Sequence, residues 1–336
     1  MMNPMALFFT KCFKGGTDVG RFILRRLGLM LVILFLVSVI IFSLVHITPG
    51  DPARMMLGQE ATEEAVQALR AKMGLNLPLY QQYLNWIGGI FQGDFGSSLK
   101  DNTPVLTVLI QKIPVTLQLT VFSFIVALLI AIPAGVISAT KKGTIWDYVG
   151  TTFALSGVSI PPFFLGILFI FLFAVVLGWL PPSGYVSIWD DWKRGLLLMI
   201  MPALAVGVRL SAEITRMLRS SMLEVLNADY IRTAYSKGLL GKSVIISHAL
   251  RNALIPVITV SGLQLGSFLG GAVITETIFA IPGIGRLVVD AIMTRDFPVV
   301  QGAVMFMALA VIVVNFVVDI LYSVLDPRIK LSGGKS

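Results

Sequence analysis

The sequence predicts an all-α integral membrane protein with six transmembrane helices. Three observations carry that expectation. Of 336 residues, 56% are hydrophobic and only 13% charged, whereas soluble domains average about 25% charged. Six apolar segments recur along the chain, and a helix needs about 20 such residues to cross the hydrocarbon core. The basic residues also gather on one side of the path that these segments trace.

Residues 1–26 carry Lys11, Lys14, Arg21, Arg25 and Arg26 and read as a cytoplasmic N-terminal segment. Residues 27–47 are almost wholly apolar and form the first span. This run is longer than the ~7–15-residue core of a signal peptide, and the ITPGDP that follows offers no small-residue cleavage site. Residues 48–112 form an extracytoplasmic loop. Within it, Thr62, Glu63 and Glu64 open a helix that Arg70, Lys72 and Gly74 close, so caps and charges agree with the helix dipole. Residues 79–90, with Tyr80, Tyr83 and Trp86, predict an amphipathic helix at the membrane surface. GDFGSS at 93–98 reads as a turn.

Residues 113–325 hold spans two to six. The second, 115–140, carries Pro133 and ends at Lys141 and Lys142. Pro161 and Pro162 interrupt the next apolar stretch, which predicts a short helix leading into a third span at 163–180. Residues 181–195 form a short outer loop. The fourth span is apolar only over 196–208, so it must take in Arg209 and Ser211. A charged cytoplasmic segment, 209–253, precedes the fifth span at 254–275. Residues 276–300 return outside, 301–325 form the sixth span, and 326–336 a cytoplasmic tail. On this path the inner segments hold 17 Lys and Arg against 9 outside, and 6 acidic residues against 11. The inner basic excess fits the orientation rule for membrane proteins.

Most enzymatic readings fail on residue inventory. A lone Cys12 forms no internal disulfide, and His46 and His248 lie far apart, so neither a metal cluster nor a nucleophile–base pair is in view. The net charge of +8 follows the membrane, not a nucleic acid. GLLGKS at 238–243 lacks the first glycine of a phosphate-binding loop, which falls on Ser236, and no strand precedes it. An intramembrane hydrolase would need a catalytic constellation that the sequence does not offer. Asp319 sits near the inner end of the sixth span, where an ion pair with a basic residue competes with a transport role.

Two patterns point to partners. In the cytoplasmic segment Asp229 is a good N-cap, and Tyr230, Ile231, Ala234, Tyr235, Gly238 and Leu239 recur at helical spacing, with Arg232 and Lys237 off that face. Such a helix either plugs into a groove on another protein, Ala234 and Gly238 permitting close approach, or merely connects two spans. In the fifth span Gly262, Gly266 and Gly270 stack along one face. That ridge either packs against a helix of this chain or of a neighbour, or eases a bend. Gln264 and Ser267 point away from it and are candidates for a watery path.

Several stretches carry a resemblance: RSSMLEVLNADYIRTAYSKGL (219–239), HALRNALIPVIT (248–259), TETIFAIPGIGRL (275–287), LDPRI (325–329), HITPGDP (46–52) and GDFGSS. Together they resemble the dipeptide/oligopeptide/nickel permeases of ATP-binding cassette importers, over roughly residues 21–330. The long interval from Gly238 to Pro256 resembles the peptide branch. The resemblance implies a type I importer permease fold, half of a heterodimeric pore in a bacterial inner membrane, with both termini cytoplasmic. It implies a second homologous permease, two ATPase subunits that carry ATP and magnesium, and an extracytoplasmic binding protein that delivers a short peptide. This chain itself would bind no cofactor and catalyse no covalent step. Asp229, Tyr230, Ile231, Arg232, Ala234, Lys237 and Gly238 would form the coupling helix. Glu276 would lie where the path opens outward, as a gate or a contact for the cargo's amino group, or else as a helix-end charge in water. Glutathione and nickel or metal chelates are the alternative cargoes. An ion-driven secondary transporter is the alternative class.

Overall fold

The computed structural model describes residues 16–47, 50–58 and 60–325, without the side chains of 16–23, 55, 263, 267, 269–271 and 321–325. The expected cytoplasmic tail at 326–336 and Lys11 and Lys14 of the N-terminal segment therefore lie outside the described residues. The described residues form helices joined by short connections. Helix α1 is Gly16–Ile47, followed in the outer loop by α2 (Pro52–Leu57), α3 (Glu63–Lys72) and α4 (Leu79–Phe91). Next come α5 (Val105–Thr140), α6 (Ile145–Ser159) and α7 (Pro162–Phe169), the last running on as a π-helix over Ile170–Val176. Then follow α8 (Trp192–Leu226), α9 (Asp229–Ser236), α10 (Gly241–Ser243), a π-helix Val244–Leu250, and α11 (Arg251–Ile278). Helices α12 (Ile284–Met293) and α13 (Phe297–Leu325) complete the described chain.

Among the described residues five helices are long and apolar enough to cross a membrane, and the bent pair α6 and α7 makes a sixth when counted as one span. That pair turns through 102° at Pro161 and Pro162. It nevertheless connects the two ends of the bundle. Helix α6 starts just beyond Lys141 at the inner end of α5, and beyond α7 the Gly184 N–H donates to the Phe279 carbonyl at the outer end of α11. The third crossing is thus two short arms, not the straight helix expected at 163–180.

Close packing at small residues sets the frame, as expected where apolar side chains gain little by leaving lipid. A Cβ on Gly207 of α8 would lie 2.7 Å from Val126 of α5, and one on Gly157 of α6 2.7 Å from Ala212 of α8. Helix α8 also packs against α11 and α7, and its buried face includes Met199, Leu210, Ile214, Leu218 and Met222.

Helices α5 and α8 run well past their expected bounds. Helix α5 begins at Val105, ten residues early, because Val105 and Leu109 are buried against Ile284 and Ala291 of α12 and Val299 and Ala303 of α13. Helix α8 continues to Leu226, so Arg209, Glu213 and Arg216 belong to one long packed helix. In the outer loop, α3 has the expected caps, Thr62 accepting from the Ala65 N–H and Gly74 following at φ +70°. Helix α4 lays Tyr83 and Trp86 on Phe42 of α1, and Tyr83 shares a 2.7 Å hydrogen bond with Ser38.

Candidate functional site

Helix α9 is seated on its own chain. Ile231 and Ala234 are buried in the main apolar core, beside Val244 and Ala249 of the π-helical stretch. Tyr230, Arg232, Tyr235, Lys237, Gly238 and Leu239 are exposed. Two expectations are corrected here. Asp229 is the first helical residue and Ala228 the N-cap, so the carboxylate complements the dipole without capping. Ala234 faces inward: at 100° per residue Ala234 and Ile231 form the middle of the roughly 140° arc from Tyr230 to Tyr235, and that middle is what the chain buries. The outward face therefore belongs to the two tyrosines, Leu239 and the basic residues. Gly238 ends the helix at φ +75°, a left-handed conformation that favours glycine, with its N–H donating to the Tyr235 carbonyl. The Asn252 amide donates to the Tyr230 hydroxyl at 3.2 Å, tying the helix to the start of α11.

At one end of α5 lies a part-buried ion pair. Arg219 of α8 grips Asp147 of α6 with two bonds, Nε to Oδ1 at 2.7 Å and Nη2 to Oδ2 at 2.9 Å. Ser138 of α5 donates to Oδ1 at 2.7 Å, and the Gly143 N–H donates to Oδ2 at 3.0 Å. One carboxylate thus joins the inner ends of three helices and the loop between two of them. Sequence reading passed over Asp147 and Arg219. The signal available was that Asp147 is the only acid between Lys142 and Leu180.

The opposite end of α5 holds a second buried carboxylate. Glu276 has no accessible surface. Thr116 of α5 donates to its Oε1 at 2.7 Å, and the Arg286 N–H in the first turn of α12 donates to Oε2 at 3.0 Å. Thr116 in turn accepts from the Ile284 N–H. Glu276 is thus no helix-end charge in water: it is enclosed and caps α12 from a distance. Gly283 and Gly285 make room for it, since a Cβ on Gly283 would lie 2.1 Å from Oε1.

The glycine ridge of α11 faces α13 of the same chain. A Cβ on Gly262 would lie 2.4 Å from Val318, and one on Gly266 2.6 Å from Asn315 Oδ1. Gly270 and the side chain of Ser267 lie outside the described residues. Gln264 donates its amide to the Glu213 carboxylate on α8. Asp319 is paired with Arg26 of α1 at 3.1 Å. Among the described residues no group of three His, Cys, Asp or Glu is placed to hold a metal ion.

Comparison with known proteins gives this geometry its family. Residues 131–331 match the family described as binding-protein-dependent transport system inner membrane component, and residues 19–120 match the corresponding N-terminal family. The chain belongs to the binding-protein-dependent transport permeases. Within them it is 43% identical over 334 residues to the dipeptide transport system permease protein DppB of Escherichia coli K12, covering 92% of this chain and 98% of the relative. It is 44% identical over 330 residues to the di/tripeptide transport system permease protein DppB of Pseudomonas aeruginosa, with the same shares. It is 40% identical over 309 residues to the glutathione transport system permease protein GsiC of E. coli K12, again over 92% and 98%. Among solved structures, the MetNI methionine ABC transporter in an inward-facing conformation matches with a TM-score of 0.54 at 18% identity, covering 65% of this chain and 96% of the other. That likeness is one of fold. The permease is accordingly a multi-pass inner-membrane subunit of the type I importer fold, a transporter and not an enzyme, whose family works with ATPase and substrate-binding partners.

Proposed function

We propose that this permease forms half of the pore of an importer for dipeptides or short oligopeptides. A second homologous permease completes the pore. Two ATPase subunits, which bind ATP and magnesium, dock on the cytoplasmic side, and an extracytoplasmic binding protein delivers the cargo. Both termini lie in the cytoplasm. The observation that carries the reading is α9: a short helix seated by Ile231 and Ala234, with Tyr230, Arg232, Tyr235, Lys237 and Leu239 turned outward. A mere connector has no need of that arrangement, whereas a groove on a partner takes aromatic and aliphatic anchors of this kind. The near-full-length similarity to permeases named for dipeptides supports the cargo class. Glutathione, itself a short peptide, is the second reading, supported by the similarity to a glutathione permease.

Purification of a tagged chain in mild detergent tests the assembly. A second permease and two ATPases are expected to co-purify, and the preparation to hydrolyse ATP faster when the peptide-loaded binding protein is added. A chain that purifies alone and transports in an ion gradient would be a secondary transporter instead.

A further inference from the structure

One charged stripe remains uncovered on the helix that is otherwise most enclosed. Arg209, Glu213, Arg216 and Ser220 of α8 are spaced by four, three and four residues, which aligns them on one face. Ser211, Ala212, Ile214, Thr215 and Leu218 around them are buried, whereas Arg209, Arg216 and Ser220 are exposed and Glu213 half-buried. Contact with Gln264 fixes the depth of the stripe. Gln264 stands 14 residues, about 21 Å, from Ile278 at one end of the helical run that begins at Gly241, and so inside the span. Glu213 therefore lies within the span, six residues or about 9 Å outward of Arg219, with Arg209 one turn further outward and Arg216 one turn inward.

Such a stripe cannot face lipid cheaply, since a charged residue at the centre of a span costs about 2.5–3.5 kcal/mol or more. Water or a polar partner must meet it. Glu213 is held by the Gln264 amide. Arg209 stands one turn away at a spacing where Arg and Glu can pair, yet among the described residues neither Arg209 nor Arg216 has a hydrogen-bonded or ionic partner.

We propose that Arg209 and Glu213 form a binding step in the translocation path that recognises the two charged ends of a short peptide. Arg209 takes the terminal carboxylate, for which a guanidinium offers a matching fork of donors. Glu213 takes the terminal ammonium, its carboxylate retaining lone pairs beyond the one that Gln264 uses. The two residues are about 6 Å apart along the helix, close to the ~7 Å that two residues of extended chain span. Side chains differ among peptides but these termini do not, so such a step suits a carrier of mixed short peptides. The inference rests on the peptide reading above.

The test is equilibrium binding of the dipeptide Ala–Phe to the complete complex of two permeases and two ATPases in lipid nanodiscs, without the binding protein. The C-terminal amide and the N-acetyl form of the same dipeptide serve as comparisons. Wild type is expected to bind the free dipeptide at least tenfold more tightly than either derivative. Arg209→Gln is expected to lose at least tenfold for the free dipeptide and to cease distinguishing it from the amide, while still distinguishing the N-acetyl form. Glu213→Gln is expected to show the reverse pattern, and Arg209→Lys to keep the preference for a free carboxylate. Equal weakening of all three ligands by Arg209→Gln, or equal binding of all three by wild type, overturns the proposal. Loss of the second permease from the Arg209→Gln complex, restored by Arg209→Lys, also overturns it and assigns the guanidinium to an acid of that subunit. If wild type, supplied with the binding protein and ATP, takes up no peptide at all, the peptide reading itself fails. Uptake without discrimination at the stripe leaves that reading standing and removes only this step.

Discussion

The two ends of α5 each hold a buried carboxylate, and the chain satisfies them in different ways. Thr116 and Ser138, which serve the two sites, are 22 residues apart, about 33 Å along the helix and close to the thickness of the hydrocarbon core. At the outer end Glu276 is met by a hydroxyl and by an N–H from the first turn of α12, and among the described residues no cation pairs with it. At the inner end Asp147 is met by a bidentate guanidinium, a hydroxyl and a backbone N–H. The outer site closes a turn. The inner site ties α5 and α6 to α8, the helix that leads directly into α9. On the proposed docking at α9, an ion pair suits this end, because its geometry is fixed by two parallel bonds.

That contrast has an energetic consequence. Asp147→Asn leaves Arg219 without its counter-charge in a largely enclosed place, and breaking such a pair is expected to cost about 3 kcal/mol. Glu276→Gln keeps the shape and one acceptor oxygen, and is expected to cost about 1–2 kcal/mol. Thermal melting of the purified complex checks the order. A Glu276→Gln complex that melts at or below the Asp147→Asn complex would invert the contrast. Gly285→Ala sharpens the outer site, because its Cβ would lie 2.6 Å from the Val273 backbone. Overpacking of that kind is expected to cost about 1–3 kcal/mol, and the melting temperature is expected to fall with no change in α9. The smallest effect is expected at Gly238→Ala, where open space surrounds the added carbon and only the positive φ is strained, at about 1 kcal/mol. A loss of ATPase co-purification in that variant would show that the glycine serves docking as well as backbone shape.

The sequence made the spans and the loop helices legible where the signal is local. Thr62 and Gly74 bound α3 through their own hydrogen bonding and backbone angle, and the aromatic spacing of 79–90 marks α4. What was illegible depends on distant residues. The early start of α5 follows from burial of Val105 and Leu109 against helices almost 200 residues later. Ala234 and Gly238 share one periodic face, and only the seat supplied by Val244 and Ala249 turns the alanine inward. Glu276 looks like a helix-end charge until Thr116, 160 residues earlier, is placed beside it. Asp147 and Arg219 carry no motif of their own, and their pairing is visible only in the fold.

Uptake of Ala–Phe into proteoliposomes holding the complete complex bears on the whole account. Peptide is expected to accumulate only when ATP is supplied on the side that exposes α9 and the loaded binding protein on the other. The Tyr235→Arg variant is expected to lose most of that uptake and its binding-protein-stimulated ATP hydrolysis together. Accumulation driven by a proton or sodium gradient, with neither ATP nor the ATPases present, would contradict the assignment of this chain as an ATP-driven peptide permease.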